Sequence, residues 1–115
     1  MPRPSRTLVT AKVHKMWPKE EWDDVMAALN AYGSGGRGWG RHRVQLAILK
    51  LCHGNRDEII KLVEAANRDY RDVLAWAEYP EEMRLPWRER KEMSDDEIKA
   101  IRERDKKQYR RWLRE

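Results

Sequence analysis

The stretch RVQLAILKLCHGNRDEIIKLVEAANRDYRDVLAWAEYP, from Arg43 to Pro80, decides the fold because it holds more than half of the chain's aliphatic residues. Its first apolar residues recur at the i, i+3, i+4 and i+7 spacing of one helix face. Further apolar residues widen that stripe, so we expect this helix to be buried on most of its circumference. The stripe consists of Val44, Ala47, Ile48 and Leu51, flanked by Leu46, Leu49 and Cys52.

Residues with known end preferences mark the helix boundaries in this stretch. Gly54 can adopt the left-handed conformation of a helix C-cap, so the first helix should end just before it. Asn55 can then cap a second helix, which should break near residues 67–69. A third, shorter helix follows, with Trp76 facing the core, and ends before Pro80. These signals predict three helices joined by tight turns.

The whole chain is predicted to be a compact all-α domain, orthogonal or bundle-like, of four to five helices. Residues 1–16 carry four bases and no acids and hold few apolar side chains, so they are expected to form a flexible basic arm. The helical core is placed at 17–80, with a glycine-rich loop at 33–40. Prolines at positions 80 and 86 and the lack of apolar periodicity indicate an extended connector at 81–93. A charged helix is expected over 94–115.

The C-terminal helix has a clear start signal and a thin apolar face. Ser94 and Glu97 have the spacing of a capping box, in which the serine side chain accepts from a free backbone N–H. Further along, Asp105 interrupts the apolar face between Ile101 and Tyr109. This gap indicates either two separate contact points with the core or a helix that projects and pairs with a partner.

Composition excludes several classes of protein. The chain has 115 residues, a formal net charge of +5, 39% charged residues and one cysteine, so it is expected to be one domain without disulfides. It has no apolar run of membrane-spanning length and no secretory leader. We therefore expect a cytoplasmic protein without membrane contact. The modest basic excess favours an acidic partner without identifying it.

No reaction centre is recognisable in the sequence. His14, His42 and His53 lie in different predicted elements, with no i, i+4 pairing and no cysteine at metal-ligand spacing. The neighbours Cys52 and His53 point about 100° apart on a helix, which disfavours a nucleophilic pair. The glycine-rich loop lacks the preceding strand and the Gly-Lys-Ser/Thr ending of a phosphate loop. A non-enzymatic protein without cofactor or metal is expected.

The leading hypothesis is a helical module that binds a protein partner or a second copy of itself. Exposed aromatic residues supply much of the binding energy at such interfaces. The C-terminal helix is the expected contact. The candidate partner-binding residues are Tyr79, Trp87, Tyr109 and Trp112.

The alternative hypothesis is a nucleic-acid-binding protein that contacts backbone phosphates through basic residues. A helix-turn-helix around Gly54 is disfavoured, because the helix that would contact the bases carries Asp57, Glu58 and Glu64. Phosphate contacts are instead expected from the glycine-rich loop and the C-terminal helix. The candidate residues are Arg37, Arg41, Arg43, Lys106, Lys107, Arg110, Arg111 and Arg114.

Two resemblances accompany these hypotheses. The blocks RVQLAILKLCHGN and DYRDVLAWAEYPEE, roughly Arg43–Glu82, resemble small uncharacterised bacterial helical proteins, which implies a helical, cytosolic, bacterial protein and no particular activity. The turn in LKLCHGNRDEIIKLV is similar to the turn before the last helix of ubiquitin-associated-type three-helix domains. The hydrophobic loop of that family is replaced here by the glycine-rich stretch, so ubiquitin binding is not implied.

Overall fold

A computed structural model describes residues 3–32 and 40–115, and all regular structure in these two ranges is helical. The prediction of an all-α fold is confirmed. The described residues hold seven α-helices rather than four or five, because one helix lies where an arm was predicted and two short helices lie where a connector was predicted. The helices are α1 (Arg6–Met16), α2 (Trp22–Asn30), α3 (Arg41–Leu51), α4 (Arg56–Glu78), α5 (Pro80–Met83), α6 (Trp87–Glu92) and α7 (Asp95–Arg114), with a 3₁₀ turn at Lys19–Glu21.

Helix α3 is the centre of the core, as its broad apolar stripe predicts. Its six consecutive residues from 44 to 49 are all buried, because α1 and α4 both pack against it. The one polar member, Gln45, donates from Nε2 to the Leu29 carbonyl oxygen at 3.1 Å and to Asn30 Oδ1 at 3.3 Å. These bonds replace the water that the buried amide loses.

The predicted turn before α4 and the predicted break within α4 are both confirmed. Gly54 has φ +76°, a conformation that residues with a Cβ rarely adopt, and it lets the chain reverse between α3 and α4. Asn55 Oδ1 then accepts from the backbone N–H of Asp57 at 3.0 Å. Within α4, Asp69 has φ −156° and ψ 102°, and its side chain caps the second half by accepting from the Arg71 N–H at 3.0 Å.

The N-terminal arm was a wrong prediction, because residues 6–16 form helix α1 and pack on the core. Ser5 caps α1, and Val9 and Val13 lie one turn apart with no exposed surface. Two valines are enough to fix α1 on the core, because α3 offers an apolar surface against which they pack. The prediction from the sequence considered only the apolar residues within the segment itself. Trp17, directly after α1, is buried as well.

The extended connector at 81–93 was also wrong, since it contains most of α5 and all of α6. The physical reason lies on α7: the Asp105 carboxylate accepts from the backbone N–H groups of Glu81 and Glu82, at 3.0 and 3.1 Å. It thereby satisfies two of the free donors at the start of α5. Asp105 is only 1% exposed, so the polar residue that interrupts the apolar face is itself part of the packed interface.

Helix α7 lies along its own core rather than projecting from it. Its buried residues recur every four positions, and its start is capped as predicted, with Ser94 Oγ accepting from the Glu97 N–H at 3.2 Å. The prediction for Trp76 was wrong, because this side chain is 41% exposed on the outer face of α4. The buried residues of α7 are Ile101, Asp105, Tyr109 and Leu113.

Candidate functional site

A cleft of about 440 Å³ opens where the end of α4 and the middle of α3 meet α7. Its interior is mainly apolar, while basic side chains stand at its rim. We call it the cleft throughout. It is lined by Pro4, by Arg43 and Leu46 of α3, by Glu78 and Tyr79 at the end of α4, and by Lys106, Tyr109, Arg110 and Leu113 of α7.

An ion pair between Arg43 and Glu78 fixes one wall of the cleft. The guanidinium donates from Nε to Oε2 at 2.8 Å and from the second nitrogen to Oε1 at 2.7 Å, a two-pronged geometry that orients both side chains. The hydrogen bond to Glu78 raises the pKa of Arg43 further above its ordinary value. Because both Glu78 oxygens are occupied, this wall contributes fixed shape and little net charge.

Tyr109 lines the same cleft, and its hydroxyl is buried. Its side chain is 4% exposed, and its Oη finds no hydrogen-bond partner among the described residues. Burial raises the pKa of Tyr109, and the nearby Glu78 carboxylate raises it further, so the phenol stays protonated at neutral pH. Most buried polar groups in folded proteins are paired. The Tyr109 hydroxyl is therefore a buried donor without an acceptor among the described residues, and its lack of exposed surface keeps it out of reach of a molecule in the cleft.

The basic rim continues from the cleft along the last turns of α7. Lys107, Arg110, Arg111 and Arg114 line a second, shallow groove of about 470 Å³ that ends at Glu115. We call these four residues the ridge. No ion pair within 4 Å joins a ridge residue to an acid in the described part of the chain. Arg110 lines both the cleft and the groove, so the two form one continuous surface.

The fold gathers two of the four candidate partner-binding aromatics at the cleft. Tyr79 and Tyr109 both line it. Trp112 instead packs on α1, with Lys12 Nζ 4.2 Å from the centre of its ring. Lys12 also donates to the carbonyl oxygens of Trp112 and Glu115, which caps the end of α7. Trp87 stands on α6 and is 72% exposed, and it does not line the cleft.

The candidate phosphate-binding residues are divided among three places. Arg43, Lys106 and Arg110 line the cleft, and the other α7 cations form the rest of the ridge. Arg41 lies at the start of α3 and donates to the Asn30 carbonyl oxygen at 3.4 Å. Arg37, like residues 33–39 as a whole, lies outside the described residues.

Glu78 and Leu46 belong to the cleft but were not proposed as site residues from the sequence. Glu78 lies 35 positions after its partner Arg43, and no local pattern signals a pair at that separation. Leu46 carries only the signal of a core residue. An unpaired buried hydroxyl such as that of Tyr109 is likewise visible only once its neighbours are known.

A larger groove, of about 790 Å³, opens at the start of α4 and includes Trp17 and Ile60. Its lining holds one arginine, Arg56, which already contacts Glu21 at 3.0 Å and Asp24 at 3.3 Å, and a further acid, Asp57. This groove therefore offers no unpaired arginine or lysine to an acidic partner. We therefore place the candidate site at the cleft in spite of its smaller volume.

Within residues 3–32 and 40–115, no three histidine, cysteine or acidic side chains lie close enough together to hold a metal ion. His14 stacks on Trp22, with ring centres 3.6 Å apart. Cys52 is buried, and burial raises the pKa of its thiol. None of these residues lines the cleft.

Across the described segments, no helix combines the length and apolarity needed to cross a bilayer. Comparison of the chain with protein-family models, with curated proteins and with solved structures finds no match in any of the three. The two resemblances described above therefore stay predictions.

Proposed function

We propose that this protein is a non-enzymatic helical interaction module that binds an acidic segment of a partner protein through the cleft and the ridge. One observation carries the proposal: Tyr79, Tyr109 and Arg110 converge on an apolar cleft whose rim continues into the ridge, whose cations have no acidic partner within 4 Å among the described residues. Tyrosine and arginine around a concave apolar site are typical of the residues that dominate binding energy at protein interfaces.

The two parts of the surface contribute differently. Burying one leucine-sized side chain in the cleft would stabilise a complex by about 1.5–3 kcal/mol. Each exposed ion pair on the ridge would add only about 0–1 kcal/mol, because water and salt screen it. The ridge is therefore expected to speed the encounter with an acidic partner, while the cleft provides most of the selectivity.

Helix pairing through the apolar face of α7 is not what we propose. The apolar residues of that face, Ile101, Tyr109 and Leu113, are already buried against the core. A second copy of the chain would therefore have to present an acidic segment to the cleft, as any other partner would.

A selection from a random peptide library displayed with free C-termini tests this function. We expect the immobilised protein to enrich peptides that combine several acidic residues with an apolar one, because the surface needs both. The same selection on an R110E/R111E variant should lose these sequences. No enrichment over an unrelated basic protein of similar charge would overturn the proposal, and so would equal recovery on the variant.

The ridge also favours a second candidate, binding to nucleic-acid phosphates. Lys107, Arg111 and Arg114 would contact an anionic backbone without using the cleft. Affinity for a short DNA duplex would then fall steeply with salt, by roughly tenfold or more between about 50 and about 200 mM for several phosphate contacts.

We expect DNA binding, measured by fluorescence anisotropy, to be weak and lost at the higher salt. A selected acidic peptide should keep most of its affinity there, since the cleft contact is apolar. Tight duplex binding that survives at about 200 mM salt, with no selected peptide competing for it, would favour the nucleic-acid candidate instead.

A further inference from the structure

We infer that the cleft receives the C-terminal residue of the partner segment, with its apolar side chain inside and its free carboxylate held by Lys106 and Arg110. This inference rests on the proposed function and names the group that the cleft recognises. Its basis is the coincidence of an apolar interior with a half-buried cation at the rim that has no acidic partner within 4 Å among the described residues.

An anion is indicated by the charges that the fold leaves unbalanced. Arg110 is half-buried and has no acidic partner within 4 Å among the described residues. Lys106 has only Glu103, at 3.8 Å, and both side chains are about half exposed, so this pair is weak and easily exchanged. Arg43 is committed to Glu78. The ligand's negative charge is therefore expected at the α7 side of the cleft.

The two cations at the α7 side suit a carboxylate. A carboxylate has two oxygens, so one can accept from Lys106 while the other accepts from Arg110, and such charge-assisted bonds are the strong ones.

The apolar walls decide between a carboxylate on a side chain and one at a chain end. Leu46, Leu113 and the ring of Tyr79 surround the interior. An aspartate or glutamate side chain would bring charge without apolar bulk and leave these walls unfilled. A C-terminal leucine carries an apolar side chain and a carboxylate on the same carbon, and the volume of about 440 Å³ accommodates such a residue.

The first test compares two forms of one probe on the wild-type protein. The probe is an N-acetylated peptide of four Asp-Glu repeats followed by leucine, made as the free acid and as the C-terminal amide. We expect the free acid to bind about tenfold to a hundredfold more tightly at about 200 mM salt, the range for a hydrogen-bonded charge. Equal affinity of the two forms, measured by calorimetry, would overturn the inference.

The second test removes one of the two cations. The variant R110Q should fold as well as the wild type, because Arg110 has no acidic partner within 4 Å among the described residues, and it should bind the free acid about tenfold more weakly. The advantage of the free acid over the amide should shrink accordingly. R88Q is the matched control, because Arg88 lies on α6 and does not line the cleft. Undiminished binding by R110Q would exclude Arg110 as a partner of the carboxylate.

Failure of this inference and failure of the proposed function give different results. If the free acid and the amide bind equally and both shift cleft amides in NMR spectra, the cleft is a peptide site that does not recognise the chain end. If neither form shifts any cleft amide at saturating concentration, the proposed function itself is wrong.

Discussion

Replacing Asp105 with alanine is expected to lower the free energy of unfolding by about 2–4 kcal/mol. The carboxylate is 1% exposed and accepts from the Glu81 and Glu82 N–H groups. Alanine would leave both donors unpaired at the start of α5 and a void beside α7. The loss should be visible in the midpoint of urea unfolding, followed by circular dichroism.

Two further variants separate this cause from a general loss of charge. D105N keeps the shape but presents an amide group to one of the two N–H donors, so it should recover only part of the loss. D96A removes an exposed carboxylate from the same helix and should change stability by less than about 1 kcal/mol. If D105A and D96A had equal effects, the capping role of Asp105 would be refuted.

Reversing two charges of the ridge is expected to weaken binding of the acidic probe peptide by about thirtyfold to a thousandfold at low salt. The variant is R110E/R111E, which replaces two attractions by two repulsions on adjacent sides of α7. Most of the loss should be in the association rate, because exposed charges steer the encounter. Stopped-flow fluorescence at several salt concentrations measures this directly.

The matched control is R88E/K91E, which makes the same change in net charge on the exposed face of α6. Neither residue lines the cleft or the groove. This control should bind the probe within about threefold of the wild type, since only screened long-range charge differs. An equal loss in both variants would mean that net charge, rather than the ridge, attracts the peptide.

Features determined by neighbouring residues could be predicted from the sequence. The stripe of α3, the Gly54 turn, the caps at Asn55 and Ser94, and the break at Asp69 all depend on side chains within four positions of one another. In each case the cause, a spacing or a cap, is written in consecutive residues.

Features that depend on distant residues could not. Val9 and Val13 become core residues only because α3 offers them a surface. Asp105 interrupts an apolar face in the sequence, but in the fold it caps a helix 24 residues earlier. The cleft brings together Arg43, Glu78 and Tyr109, and no pattern of neighbouring residues indicates that these three lie close to one another. Arg43 and Tyr109 were each proposed as site residues, but for separate functions.

The most direct test of the account is to locate the probe peptide's leucine in the complex by intermolecular nuclear Overhauser effects. We expect contacts from the leucine methyl groups to the ring protons of Tyr109 and to the methyl groups of Leu46 and Leu113. Contacts to Trp87 alone would contradict it. So would a saturated complex in which only the ridge signals move and the leucine contacts nothing.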